Sequence, residues 1–362
     1  MNPSVRPRRA RWLLALGAVL AALLVVEGLV RIRQWLKYGT TEVSFYRLTE
    51  DPLSGLVIPE PGHTIGPISI DSRGFRGPEV ETPKPLGRLR VGFLGGSTTF
   101  CAEATSLEAT WPHLVVERLR ARDPDLTFDY VNAAAAGYST QESLVNLARR
   151  LAPLEPDVIV IYHGTNDLTQ DTRELATTAG LYDPEVKEED WLGRYWLSWY
   201  LLKKNVLFSS RRGGADDRER LAYDPEVISP LFRARLHTLI DAARKVAPVV
   251  SVATFAQRTR REQTPEEQIE ASSSSLYYMP YLDVEGILKG FEEYNRVIRE
   301  VAQAAGAVLV EGESAIPGDA AHFNDSVHLT DLGLGLQAER VSKALLESPQ
   351  YGELVESKRD GR

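Results

Sequence analysis

Four short segments of the sequence carry the residue types that nucleophilic serine chemistry uses. Ser97 lies in residues 95–99, Gly-Gly-Ser-Thr-Thr, and Asp325 precedes His328 by three positions. A serine hydroxyl becomes an effective nucleophile when a histidine takes its proton and a carboxylate orients that histidine. The spacing Asp-x-x-His lets one local turn bring the carboxylate to the imidazole, so these three residues form a candidate relay.

Two further segments carry groups that can stabilise an oxyanion. Gly137 ends a run of small residues, 132–137, where a backbone N–H can approach a bound oxyanion with no side chain in the way. Asn166 lies in residues 163–167, His-Gly-Thr-Asn-Asp, and its side-chain amide is a second donor. Taken alone, each segment also fits an ordinary turn or a helix cap.

The segments that must position these residues alternate between apolar strands and helices. We predict strands at 89–94, 128–131, 157–162, 249–255 and 307–310, and helices at 110–122, 141–151, 230–247, 284–305 and 329–346. This alternation predicts a parallel sheet covered by helices on both faces. Sites in such folds lie at the carboxyl ends of the strands, which is where the serine, glycine and asparagine segments follow.

In this order the four segments resemble the SGNH or GDSL-like hydrolase family, from about residue 74 to residue 346. The resemblance implies an α/β three-layer sandwich with a mostly parallel five-stranded sheet of flavodoxin-like type, and it implies no cofactor. One departure is Gly96, which replaces the aspartate of the Gly-Asp-Ser block. Residues 75–78, Phe-Arg-Gly-Pro, resemble the membrane-anchored bacterial branch, in which the catalytic domain follows one N-terminal helix.

The resemblance also implies a role for each site residue. Ser97 would be the nucleophile, His328 the base, and Asp325 the partner that orients the base. The oxyanion hole would consist of the backbone N–H groups of Ser97 and Gly137 and the side chain of Asn166.

The implied reaction is cleavage of an ester through an acyl-enzyme on Ser97. The preferred substrate is an O-acyl or O-acetyl ester on an exported carbohydrate, ahead of lipid or small acyl esters. An acyltransferase would use the same site with a glycan alcohol in place of water. A catalytically inactive, membrane-tethered protein that binds glycans or assists assembly is a further alternative.

A metal site is a weaker alternative. Its ligands would be His163, Asp167, His322, Asp325 and His328, since histidine and carboxylate hold zinc or manganese. The sequence lacks the His-Glu-x-x-His spacing of helical zinc sites, and we therefore predict no metal.

The N-terminus has the pattern of a membrane anchor. Four arginines (Arg6, Arg8, Arg9 and Arg11) precede an apolar stretch at 12–30, which is long enough to cross a bilayer as a helix. The core is longer than that of a cleaved signal, so we predict an uncleaved signal anchor, with cleavage and a buried soluble helix as alternatives. The positive-inside rule then places the catalytic domain on the periplasmic or extracellular side.

Composition excludes several classes. The 362 residues are 43% hydrophobic and 25% charged, as in an ordinary globular protein, and the net charge of −8 argues against a nucleic-acid partner. The single cysteine, Cys101, rules out an intrachain disulfide and any zinc site made of cysteines. The expected partners are therefore an ester-bearing small molecule or glycan and, through the N-terminal helix, a membrane.

These observations predict the following order of segments. A basic cytoplasmic N-terminus (1–11) and the anchor (12–30) precede a wrapping linker (31–87), a catalytic domain (88–348) with an insertion (168–229), and a polar tail (349–362).

Two loops carry aromatic residues that could bind substrate. Trp191 and Trp196 lie in the insertion, and Tyr277 lies in a second loop at 257–283. Aromatic faces stack on sugar rings or lie at membrane interfaces. The alternative for the insertion is a lid helix packed on the core, because Trp191, Tyr195 and Trp199 recur every four residues.

Overall fold

The computed structural model describes residues 6–38, 41, 47–183, 195–203 and 219–360. The chain forms two compact units. The smaller unit comprises Met1–Phe45 and Lys187–Leu207, and the larger comprises Tyr46–Val186 and Phe208–Arg362. Trp191 lies outside the described residues.

The larger unit is built on a five-stranded, fully parallel sheet. Two short antiparallel hairpins precede it, β1 (Leu48–Glu50) with β2 (Val57–Pro59) and β3 (Thr64–Ile65) with β4 (Ile68–Ser69). The sheet strands are β5 (Arg88–Gly95), β6 (Thr127–Asn132), β7 (Val158–Tyr162), β8 (Val249–Ala253) and β9 (Val308–Val310), in the order β6-β5-β7-β8-β9. All five predicted strands are present, and the predicted fold class is confirmed.

Helices follow the strands and pack in two groups. They are α2 (Ser97–Phe100), α3 (Trp111–Arg122), α4 (Thr140–Asn146), α5 (Thr165–Thr178), α6 (Pro225–Arg244), α7 (Pro265–Ala271), α8 (Ser273–Tyr278), α9 (Val284–Ala304), α10 (Asp331–Glu347) and α11 (Pro349–Asp360). In one group α3 and α11 pack on α10, and in the other α4, α5 and α9 pack on α6. The central strand β7 is buried along its whole length between these layers.

Three segments differ from the sequence-based predictions. Residues 165–178, which overlap the start of the predicted insertion, form the helix α5, whose Leu168 and Ala176 are buried in the core. The predicted helix at 141–151 is α4 followed by a π-helical turn, Leu147–Leu151. The residues at 349–360, predicted as part of a polar tail, form α11, which buries Tyr351, Leu354 and Val355.

The smaller unit contains the N-terminal helix α1 (Arg6–Tyr38). Within Arg11–Leu36, the most apolar 18-residue stretch has a mean hydropathy of 2.6, and by length and composition this part of the helix can cross a membrane. Side chains from 11 to 26 are exposed on every side of the helix. A helix that is apolar all round needs an apolar environment, so this segment has the character of a signal anchor or transmembrane helix.

Candidate active site

Ser97 follows the central part of the sheet directly. It is the first residue of α2, two positions after β5 ends at Gly95. The turn is short, because Cys101 ends it in the left-handed conformation with φ 57°. A first-turn backbone N–H has no acceptor within its own helix, so the Ser97 N–H is available to an oxyanion.

The structure joins Ser97 to the two other predicted relay residues. His328 Nε2 lies 2.7 Å from Ser97 Oγ, and His328 Nδ1 lies 2.8 Å from Asp325 Oδ2. Ser97 and His328 are 231 residues apart in the chain, so the fold has to create this contact. Both distances are hydrogen-bonding distances, and the geometry is what proton transfer from the hydroxyl to the imidazole requires.

Asp325 is held by its own turn. Its Oδ1 accepts hydrogen bonds from the backbone N–H groups of Val327 (2.9 Å) and His328 (2.8 Å), while Oδ2 faces the imidazole. Burial raises the pKa of Asp325, but attraction to His328 and these hydrogen bonds outweigh it and lower the pKa to about 2. Asp325 is therefore a carboxylate at neutral pH, as an orienting partner must be.

Hydrogen bonds hold the turn at residues 325–328, the histidine turn, against α8. The Ser326 hydroxyl accepts hydrogen bonds from the backbone N–H groups of Ser274 and Ser275, and the Ser326 N–H donates to the Ser274 hydroxyl at 3.0 Å. Ser326 is buried. The predicted loop at 257–283 thus supports the histidine turn, a contact that leaves no local signal in the sequence.

Asn166 lies against the serine turn. Its side-chain amide donates to the carbonyl oxygen of Tyr138 at 2.8 Å, and a Cβ on Gly96 would clash with that amide and come within 3.0 Å of the same carbonyl. A side chain at position 96 would require the Asn166 amide to move. Gly96 therefore lets Asn166 lie directly against the turn that carries Ser97.

Gly137 lies one residue before Tyr138 and is exposed. Its φ of 84° is in the left-handed region, which favours glycine, and a Cβ there would meet no described atom within 4 Å. The backbone conformation, rather than crowding, explains the glycine. The loop that carries its N–H is joined to Asn166 through Tyr138.

A buried carboxylate links the start of α5, which carries Asn166, to the start of α4, which follows Gly137. Asp167 accepts hydrogen bonds from the Thr140 hydroxyl (2.5 Å) and the Thr140 N–H (3.1 Å), and Arg235 Nε lies 3.8 Å from it. Burial raises the pKa of Asp167 to about 6, although the hydrogen bonds from Thr140 and the charge of Arg235 oppose the rise. Asp167 therefore holds the first turn of α5, with Asn166, against the first turn of α4, which follows the Gly137 loop.

His163 is buried beside this carboxylate and bonds to Ser143 at 2.8 Å. Burial lowers the pKa of His163 to about 3, so the imidazole is neutral and its 3.7 Å approach to Asp167 is not an ion pair at neutral pH. His163 is a packed and hydrogen-bonded residue of the core.

Arg76 is a functional candidate that the sequence marked only as part of a resemblance. It is 1% exposed, and its guanidinium donates to the carbonyl oxygens of Phe100 and Cys101, where the serine turn ends. The backbone of Arg76 also bridges to Asn132, whose side chain donates to the Thr99 carbonyl at 2.9 Å. The wrapping segment therefore fixes the turn that carries Ser97.

The remaining predicted site residues lie in different parts of the chain. Tyr277 is half-buried on α8, two residues after Ser275, with its ring centroid 5.1 Å from that of Tyr278. Trp196 is half-buried and belongs to the smaller unit. Cys101 is buried, and burial raises the pKa of its thiol to about 12, so it is not a competing nucleophile at neutral pH.

The five residues considered as metal ligands have separate partners. His163 bonds to Ser143, His322 bonds to Asp319 at 2.8 Å, and His328 lies between Asp325 and Ser97. Within the described part of the chain, no three His, Cys, Asp or Glu side chains come together in a group that could hold a metal ion.

Comparison with solved structures gives similarities in fold. Axe2, an acetylxylan esterase from Geobacillus stearothermophilus, is 16% identical with a TM-score of 0.44, over 72% of this chain and 95% of that one. LAE5, an alpha/beta hydrolase from the metagenome of Lake Arreo in Spain, is 14% identical with a TM-score of 0.42, over 71% and 94%. No curated protein gives a significant match.

The pattern of the GDSL-like lipase/acylhydrolase family matches residues 93–334, which is two thirds of the chain. The matched region contains the serine, glycine and asparagine segments and the histidine turn. The chain therefore belongs to the GDSL-like lipase/acylhydrolase family and is a hydrolase that acts on ester bonds.

Proposed function

We propose that the protein is a serine esterase that cleaves an O-acyl ester through an acyl-enzyme on Ser97. The observation that carries the proposal is the unbroken contact from the Ser97 hydroxyl to His328 (2.7 Å) and from His328 to Asp325 (2.8 Å). His328 takes the proton of the hydroxyl as Ser97 Oγ attacks the acyl carbonyl. The ionised Asp325 holds the imidazole in the tautomer that can accept this proton and stabilises the imidazolium that forms.

The tetrahedral intermediate places its negative charge on the former carbonyl oxygen. The donors for this oxygen are the Ser97 and Gly137 N–H groups and the Asn166 amide. Protonated His328 then gives its proton to the leaving oxygen, and the alcohol departs as the C–O bond breaks. His328 then deprotonates a water molecule, which attacks the acyl carbonyl. The bond to Ser97 Oγ breaks, His328 returns the proton to Oγ, and the acid leaves.

The preferred substrate is an O-acyl or O-acetyl ester on a carbohydrate outside the cytoplasm. Ser97, Asn166 and His328 are each partly exposed, and Gly137 is exposed, so the site is open enough for an ester on a large alcohol. The location rests on the apolar N-terminal helix and on the arginines that precede it. Tyr277, on α8, is a proposed sugar contact through its ring.

The test is labelling of the full-length protein in detergent with a fluorophosphonate, followed by peptide mass spectrometry. We expect one adduct, on Ser97, that is absent in Ser97→Ala and strongly reduced in His328→Ala. Cys101→Ala is the matched control near the site and should label as wild type. A folded protein that gives no adduct would contradict the esterase and favour the inactive glycan-binding alternative.

Substrate class is tested with the same preparation. Release of acetate from an acetylated oligosaccharide is compared with release from an acetylated phospholipid analogue. A preference for the oligosaccharide supports the proposal, and a preference for the lipid ester would replace it. If acetate appears on an added sugar alcohol instead of in solution, the activity is that of an acyltransferase.

A further inference from the structure

In the last turns of α1, polar side chains are buried and apolar side chains are exposed. Glu27 and Gln34 are buried, at 9% and 6% exposure, and Arg31 lies between them on the same face of the helix. The neighbouring apolar residues are the exposed ones: Leu29, Ile32, Trp35 and Leu36 are between 56% and 72% exposed. A helix that faces water has the opposite arrangement.

Residues 195–203, most of them helical, cover this polar face. Both oxygens of Glu27 accept hydrogen bonds from backbone N–H groups of this segment, from Leu197 at 3.0 Å and from Ser198 at 2.8 Å. Arg31 donates to the Tyr195 carbonyl at 2.7 Å and to Glu27 at 2.7 Å. Leu197 is buried at 1% exposure, and all of these residues belong to the smaller unit.

These contacts satisfy backbone groups that a bilayer would otherwise leave unpaired. The first N–H groups of a helical segment have no acceptor within it, and water is absent from the hydrocarbon region. A carboxylate in a membrane helix is also costly unless it is paired. The Glu27 carboxylate accepts hydrogen bonds from the N–H groups at the start of the segment, and Arg31 balances its charge. The N–H groups thereby gain an acceptor and the carboxylate gains its partners.

The outward side of the segment is apolar and aromatic. Tyr195 is 64% exposed, Leu202 is 55%, and Trp199 and Tyr200 are 40% and 39%. Tyrosine and tryptophan concentrate at the boundary between lipid headgroups and acyl chains. A bilayer core of about 30 Å corresponds to about 20 helical residues, so a span that begins at Arg11 reaches this boundary close to Arg31.

We propose that residues 195–203 are a second membrane-contacting element, docked on α1 by Glu27 and Arg31, with Tyr195, Trp199, Tyr200 and Leu202 against the lipid headgroup boundary. The occupant of this surface is the bilayer in which α1 is anchored. This segment of the insertion then binds the membrane in addition to the α1 anchor. The inference does not depend on which ester the enzyme cleaves.

The test uses spin labels on the full-length protein in vesicles of phosphatidylcholine and phosphatidylglycerol. Three variants each carry one new cysteine for the label. Leu202 tests the proposed contact, exposed Leu16 on α1 is the reference for lipid, and Leu86, which is 102% exposed in the larger unit, is the reference for water. Native Cys101 is buried, and label-treated wild type verifies that it does not react. The measurement is the ratio of nitroxide collisions with oxygen, which enters lipid, to those with a water-soluble nickel chelate.

We expect the Leu202 label to give a ratio between those of Leu16 and Leu86 and several-fold above that of Leu86. Glu27→Leu should move the Leu202 ratio to the Leu86 value and leave the Leu16 ratio unchanged, which shows that α1 is still inserted. Glu27→Gln, which keeps one acceptor oxygen, should have an intermediate effect. The proposal is overturned if Leu202 already matches Leu86 in the wild type, if Leu16 matches Leu86, or if Glu27→Leu leaves the Leu202 ratio unchanged.

Discussion

Two aspartates lie beside the proposed catalytic groups, and their surroundings differ. Asp325 has a side chain that is one-third exposed, bonds to His328 directly and has its pKa lowered to about 2. Asp167 is fully buried next to Asn166 in the chain, bonds to Thr140 and has its pKa raised to about 6. One half of the site, the relay half, contains Ser97, His328 and Asp325. It keeps a charged carboxylate beside the imidazole that would take the Ser97 proton. The part of the site with Asn166, the oxyanion half, uses a buried carboxylate to hold the first turns of α5 and α4 together, and ionisation of that carboxylate lowers the stability of the fold.

The largest expected effect is on the relay half. Asp325→Asn should lower turnover of a small ester by about 10⁴-fold, because an amide nitrogen facing His328 Nδ1 favours the tautomer that cannot accept the Ser97 proton. The measurement is kcat at saturating ester together with thermal unfolding, and the variant should stay folded with a loss of stability of no more than about 2 kcal/mol. Turnover near that of the wild type would remove Asp325 from the relay.

The oxyanion half should show a smaller effect. Asn166→Ala removes one donor, which commonly costs about 10² to 10³ in kcat, with little change in KM. Gln170→Ala is the matched control, because Gln170 is an exposed amide on the same helix and bonds to the equally exposed Gln141. Equal activities for the two variants would contradict the assignment of Asn166.

Arg76 supports both halves from outside, since it fixes the turn that carries the Ser97 hydroxyl and N–H. Arg76→Met leaves two backbone carbonyls without their donor and should destabilise the fold by about 2 to 5 kcal/mol. Arg73→Met, in the same wrapping segment but with a more exposed side chain, should cost about 1 kcal/mol or less. Denaturant unfolding gives both values.

A positioning role predicts more than lost stability. Fluorophosphonate labelling of the folded Arg76→Met protein should be slower than that of wild type, and Arg76→Lys should restore part of the rate. Labelling at the wild-type rate in folded Arg76→Met would make Arg76 a purely structural residue.

The smallest expected effects are opposite slopes of stability with pH. The folded pKa of Asp167 is raised, so its contribution to the free energy of unfolding is greatest below about pH 4 and falls by about 3 kcal/mol as pH rises through 6. The folded pKa of Asp325 is lowered, so its contribution is present above about pH 4 and is lost as pH falls through 2. After allowance for exposure it amounts to about 1 to 2 kcal/mol.

Each slope is measured as the difference between wild type and an Asp→Asn variant, by urea unfolding between pH 3 and pH 7. Relative to Asp167→Asn the wild type should gain stability on acidification, and relative to Asp325→Asn it should lose stability. Slopes of the same sign would show that the two carboxylates are not in contrasting environments.

The parts of this molecule that the sequence predicts are those set by local pattern. The β7 strand is a run of five apolar residues between turn residues, and Asp325 reaches His328 within one turn, so both follow from neighbouring positions. The helix α5 was missed because its first turns are polar and the buried apolar residues are few. For α11, three apolar residues among charged ones were too weak a pattern.

Contacts between distant segments had no such signal. Arg76 meets carbonyl oxygens 24 and 25 residues away, and carbonyl oxygens have no sequence signature. Glu27 interrupts an apolar run, and its partners Leu197 and Ser198 lie 170 and 171 residues further along the chain. The charge marked the position as unusual, but only the structure identifies the groups that it binds.

The contact of Arg76 with the serine turn also determines where this protein can be cut. The family match begins at residue 93, whereas the larger unit begins at Tyr46 and includes the arginine that closes the turn. A fragment trimmed to the matched region would keep every proposed catalytic residue and lose the guanidinium that binds the end of the turn that carries Ser97. The shortest fragment expected to fold with an intact serine turn therefore includes residues before position 93, where the family match begins.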